Sequence, residues 1–130
     1  MKKLIIFVLS FVLTASLCSC NNNSNLSPDM SSAGKNVIKI VDDYMDSKID
    51  YSTASKKLDG AKDSIDRIYD NTERDEYNLP VYKQDFDVQL SVTSISIALL
   101  SESTGHGICD ELLEKRNDLA KIVGVKQRKE

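Results

Sequence analysis

The sequence predicts an all-α protein, a small antiparallel bundle of three to four helices on a flexible N-terminal tether. Three observations carry this. From Gly34 onward, apolar residues recur at spacings of three and four, the period of a helix with one buried face. Pro80 and the glycines Gly105 and Gly107 fall between the periodic runs, where turns are needed. Beyond residue 20 the only cysteine is Cys109, so no internal disulfide is available and the fold must hold by its hydrophobic core.

The chain opens with a basic start, Lys2 and Lys3, followed by an uncharged apolar run over residues 4–17. Leu17-Cys18-Ser19-Cys20 comes next, and then the polar Asn21-Asn22-Asn23-Ser24. Basic, apolar and small-residue segments in that order form an export signal. The apolar run is shorter than the ~20 residues a membrane span needs. Leu17 at −3, Ser19 at −1 and Cys20 after them resemble the lipobox of bacterial lipoproteins. Cys18 is the rival site, but bulky Leu17 would precede it. The resemblance covers residues 1–20. It implies that residues 1–19 are a signal peptide and that Cys20 is the lipidated N-terminus, carrying acyl chains such as palmitate. Two or more chains give stable anchoring, at ~0.8 kcal/mol per buried CH₂.

Residues 20–33 read as the lipidated cysteine and a flexible tether rich in Asn and Ser, too polar to repay ordering. Residues 34–130 read as the helical domain. Val37, Ile40, Val41, Tyr44 and Met45 mark a first helix. Ala54, Leu58, Ala61, Ile65 and Ile68 mark a second, with Ser52 as its expected N-cap. One phase runs through both, so the residues admit a single long helix; the reading adopted puts a turn at residues 48–51. Residues 71–79 are polar, and Pro80 is expected at the first position of a third helix. Phe86, Leu90, Thr93, Ile97 and Leu100 then recur at four, three, four and three as its expected buried seam, widened by Val88, Val92, Ile95 and Leu99. The β-branched stretch 91–97 offers a strand as the rival, but the helical period extends past it on both sides. Ile108, Leu112, Leu119 and Ile122 mark a last helix, ending in the basic residues 126–129.

Motifs for catalysis are weak. His106 is the only histidine. With Cys109 and Asp110 it could supply three zinc ligands, but the spacing is irregular and no second cysteine pair exists. The plain alternative, a solvated turn histidine and a buried Cys109, is preferred. Ser103, His106 and Asp110 form no recognisable triad, and no Gly-x-Ser-x-Gly elbow is present. Ser32-Ala33-Gly34-Lys35 matches the Ser-x-x-Lys of penicillin-binding enzymes without its partner motifs. Asp59, Asp63, Asp66 and Asp70 line one flank of the second helix. Expected i, i+4 pairs (Lys62–Asp66, Asp63–Arg67, Asp70–Arg74) read that flank as a solvated face rather than a cation site. Five tyrosines include Tyr77 and Tyr82 around the 71–80 loop, and these two are the candidate partner-binding residues.

Seventeen basic residues, less Lys2 and Lys3 lost with the signal, face twenty acidic ones, so the mature chain carries −5. That balance sets nucleic acid aside. The expectation is an extracytoplasmic protein, lipid-anchored to a bacterial membrane, with a non-enzymatic binding or accessory role toward another envelope protein. No catalytic residue, metal or cofactor is expected. An immunity-type protector against an extracellular toxin is the first alternative, and a small enzyme using His106 the second. A charge placed at Leu58 or Leu90 is expected to unfold the domain.

Overall fold

A computed structural model describes residues 25–105 and 109–129. It contains four helices: α1 (Pro28–Met45), α2 (Tyr51–Asp70), α3 (Gln84–Ser103) and α4 (Cys109–Val123). Among the described residues there is no strand, only an isolated bridge between Arg74 and Pro80. The all-α expectation holds. The β-branched stretch of α3 is helical because its apolar side chains belong to a longer helical face.

Several helix ends have a local cause. Ser27 is extended, its hydroxyl accepts from the Met30 N–H at 3.3 Å, and Pro28 takes the first helical turn, where its missing donor costs nothing. The helix therefore begins ahead of Gly34. Leu26 and Met30, read as tether, are buried in the core. A turn at residues 46–50 separates α1 from α2, with Ser47 at φ 57. The N-cap of α2 is Asp50 rather than Ser52, and its carboxylate accepts from the Thr53 N–H at 2.8 Å. Pro80 does not open α3, which starts at Gln84; Pro80 instead lies in the bridge with Arg74. Gly124 at φ 70 closes α4, and the Val125 N–H reaches back to the Ala120 carbonyl at 2.8 Å. The basic residues 126–129 thus follow the helix as a tail.

Consecutive helices pack together and α4 closes on α1, while α1 and α3 also meet across the centre. The registers run in opposite senses: Gly34 of α1 lies against Val123, and Asp42, farther along α1, against Arg116. The short α1–α2 and α3–α4 connections favour the same opposition between those neighbours. The core is built from Met30, Val37 and Val41 of α1, Leu58 and Ile65 of α2, Val88, Val92 and Ile95 of α3, and Leu112 and Leu119 of α4.

The inner face of α3 is not the one expected. Val88, Val92 and Ile95 are fully buried, with Ala98 and Leu99. Phe86, Leu90, Ile97 and Leu100 are 45%, 51%, 59% and 54% exposed. Small and β-branched side chains on the inner face let α3 lie close to its neighbours, and the bulkier set is left outside. A charge at Leu90 therefore meets solvent, unlike one at the buried Leu58.

Gly34 marks a close approach of α1 and α4. A Cβ there would stand 2.7 Å from Cγ1 of Val123, a stiff side chain in the core. Gly60, midway along α2, has nothing within 4 Å of such a Cβ. The two glycines should respond with opposite signs in urea unfolding. Gly34→Ala should destabilise by about 1–3 kcal/mol through overpacking. Gly60→Ala should stabilise by roughly 0.5–1 kcal/mol through helix propensity. Equal responses would contradict the packing described.

Candidate functional site

Two polar junctions tie the bundle together. At one end Asp85 is fully buried at the start of α3. Its carboxylate accepts from the Ser27 N–H at 2.9 Å and from the Thr72 hydroxyl at 3.4 Å. Beside it, the Gln84 N–H donates to the Asn25 carbonyl at 2.9 Å. The segment entering α1, the end of α2 and the start of α3 are thus held at one place. On α4, Arg116 is 4% exposed and donates twice to Asp42, from Nε at 2.9 Å and from a terminal nitrogen at 2.8 Å. Its remaining nitrogen donates to the Asn117 side chain and the Lys126 carbonyl. Asn117 exchanges two 2.8 Å bonds with the Arg128 backbone, and the Arg128 guanidinium meets Asp46 at 2.7 Å. The C-terminal tail is folded back onto α1 and α4 by this network. The bonds named in both junctions all run to other parts of the chain, while the Gln84 Oε1 beside Asp85 is buried without a hydrogen-bond partner.

Exposed apolar side chains form the distinctive surface. One group is the outer face of α3: Phe86, Leu90, Ile97 and Leu100, with Thr93 between. A groove of about 300 Å³ between α2 and α3 runs beside it, lined by Tyr51, Leu58, Thr93, Ile97 and Leu100 among others. The second group is the 71–83 loop, where Tyr77 is 76%, Leu79 59% and Val81 44% exposed. Arg74 lies over the Tyr69 ring at 5.5 Å, and that ring sits 5.9 Å from Phe86. The two candidate tyrosines separate. Tyr77 stands at the loop tip, while Tyr82 is half-buried and walls a cleft of about 600 Å³ with Ser27, Asp29, Arg67 and Glu73.

Cys20 and His106 lie outside the described residues, as does the Cys109 side chain. Among the described residues no three His, Cys, Asp or Glu side chains gather where they could hold a metal. Ser32 and Lys35 are exposed positions on α1, not part of a tether. The aspartate flank of α2 makes other contacts than the expected pairs. Asp66 accepts from Gln89 at 2.7 Å, Arg67 reaches the Asp63 carbonyl and Ser64, and Arg74 reaches the Asn78 carbonyl. Comparison with known proteins finds no matching family, no similar curated protein and no similar solved structure.

Among the described residues, the carboxylates with displaced titration lie at the α1–α2 turn. Lys48 and Arg128 hold Asp46 below its ordinary value, chiefly by side-chain hydrogen bonding, and Thr53 does the same for Asp50. Groups of this sign add stability above the unfolded carboxylate range, and that stability is lost as pH falls through the folded values. The melting temperature should therefore fall between about pH 5 and pH 2, and the Asp46→Asn, Asp50→Asn double variant should fall less steeply. A double variant as acid-sensitive as the parent would place the effect elsewhere.

Proposed function

We propose that this chain is an extracytoplasmic lipoprotein, held at a bacterial membrane by acyl chains on Cys20. In this reading its bundle binds a helix of another envelope protein and catalyses no reaction. The anchor is supported by the signal-like residues 1–20 and their resemblance to a lipobox. Among the described residues no helix is long and apolar enough to cross a membrane.

The single observation that carries the binding role is the outer face of α3. Its residues 86, 90, 93, 97 and 100 keep coiled-coil spacing on the outside of a bundle whose inside is already complete. Large apolar side chains in a contiguous exposed stripe mark interaction surfaces. The flanks are also fitted to a helix. Gln89, Ser94, Ser96, Ser101 and Ser103 are uncharged and mostly small, Asp87 is the one charge of α3 beside the stripe, and Asp59 and Lys62 of α2 line the adjoining groove. Small flanking side chains let a partner backbone approach closely. Covering four half-exposed side chains is worth about 1 kcal/mol each.

Two results test the two halves of this reading. Cys20→Ala should abolish acyl labelling and release the protein from membranes; full retention without processing would refute the anchor. Leu90→Asp and Ile97→Asp should keep the parental helix content and melting temperature while losing crosslinking to the partner in cells. Leu58→Asp, at a buried position, should unfold the domain and calibrates the comparison. Unfolding by Leu90→Asp would refute the outer face. A crosslinked product of twice the chain's mass would make the occupant a second copy and contradict the assignment to another protein.

A further inference from the structure

We infer that the tip of the 71–83 loop contacts the surface of the bilayer in which Cys20 is anchored, so that the bundle stands with this end against lipid. The inference rests on the anchor proposed above. Its first ground is the path of the chain. The Asn25 carbonyl accepts from the Gln84 N–H, and the Ser27 N–H donates to Asp85. The chain thus enters the bundle at the base of this loop. Four residues lie between Cys20 and Asn25, which makes five Cα-to-Cα steps. At most ~3.6 Å each, they allow a reach of ~18 Å in any conformation. The opposite end, where the α1–α2 turn meets Glu102 of α3, lies about 30 Å away along the 20-residue α3.

The second ground is the construction of the loop. Its two sides are joined by Val81 N–H to the Glu73 carbonyl at 2.9 Å and Asp75 N–H to the Leu79 carbonyl at 2.8 Å. At the tip the Tyr77 and Leu79 N–H groups both donate to one Asp75 carboxylate oxygen at 2.9 Å, and the Asn78 N–H donates to the Asp75 carbonyl at 3.0 Å. Backbone donors that are already satisfied can leave water at little cost, which apolar surroundings demand. The side chains left exposed, Tyr77, Leu79 and Val81, are of the kinds that settle at the interface, with tyrosine keeping its hydroxyl among headgroups. Glu73, Asp75 and Glu76 outnumber Arg74 and Lys83 here, so the contact is apolar and not an attraction to anionic lipid.

The protein contains no tryptophan, which makes each introduced one a clean reporter. The full chain carrying Tyr77→Trp, Leu79→Trp or, at the far end, Ser103→Trp is produced in bacteria, checked for acyl label and melting temperature, and returned to phosphatidylcholine vesicles. The acyl chains of that lipid are brominated near the headgroup. Fluorescence of both loop variants should drop at least about twofold against unbrominated vesicles, the depth expected of a side chain ~5–10 Å into the interface, and that of the Ser103 variant should not change. High salt should leave the quenching in place. An acyl-labelled protein whose loop reporters are unquenched, or quenched no more than the far reporter, overturns the inference while the anchor stands, and leaves the tip to a protein partner. Absence of acyl label overturns the anchor, and the inference with it.

Discussion

A helix inside a four-helix ring has one face toward the core, and α3 carries apolar residues on two. This constraint governs the molecule. Val88, Val92, Ile95 and Leu99 occupy one face, and Phe86, Leu90, Ile97 and Leu100 the other. Neighbours α2 and α4 flank α3 and α1 meets it across the centre, so the core closes with the outer face uncovered. Turning α3 the other way would bring larger side chains into an interior already filled by Leu58, Ile65, Leu112 and Leu119. Overpacking of that kind costs roughly 1–3 kcal/mol or more.

Orientation is also fixed by polar groups. Asp85 lies in phase with Val88 and Val92, so the rotation that buries the valines also brings its carboxylate to the Ser27 N–H and the Thr72 hydroxyl. Any other rotation would leave a buried donor at Ser27 without its acceptor, at a cost of about 1–3 kcal/mol. Arg116 plays the matching part on α4. Its guanidinium is buried, two of its bonds go to one carboxylate, and a third holds the tail. A buried arginine with each guanidinium nitrogen bonded fixes the register of two helices even where its net contribution to stability is small.

Much of this was legible in the sequence, for physical reasons. Helical periodicity in α1, α2 and α4 reads the core directly, because one face of each is apolar and the other is not. Alternatives remained where that contrast fails. In α3 both faces are apolar, and spacing alone does not say which turns inward; the signal lay in Asp85, which shares a seam with Val88, Val92, Ile95 and Leu99. In α4 the predicted seam jumped from Leu112 to Leu119, and Arg116 fills the gap at four and three. A polar residue in phase with an apolar seam announces a buried partner, but not its identity, since Asp42 is 74 positions away. The ordered segment at Leu26 and Met30 was hidden by the Asn- and Ser-rich residues before it, although Ser27-Pro28 is a helix-start signal. Of the candidate site residues, Tyr77 was readable as exposed because its loop is polar, whereas the half-burial of Tyr82 depends on a cleft shared with α1 and α2.

The proposed role follows from what the bundle leaves uncovered. A side face of coiled-coil spacing suits a helix lying alongside, and an end within reach of the proposed anchor suits lipid. The central claim is that the outer face of α3 is covered where the protein works. Alkylation of Ile97→Cys in a Cys109→Ser background tests it, with Lys57→Cys on exposed α2 as reference. N-ethylmaleimide, which passes membranes, is applied to whole cells and to the purified protein, and the two rates are compared. The account predicts that Cys at position 97 reacts several-fold more slowly in cells than when purified, while position 57 reacts alike in both. Equal rates at position 97 in the two settings would mean that the face is open to water in the cell, and would contradict the account.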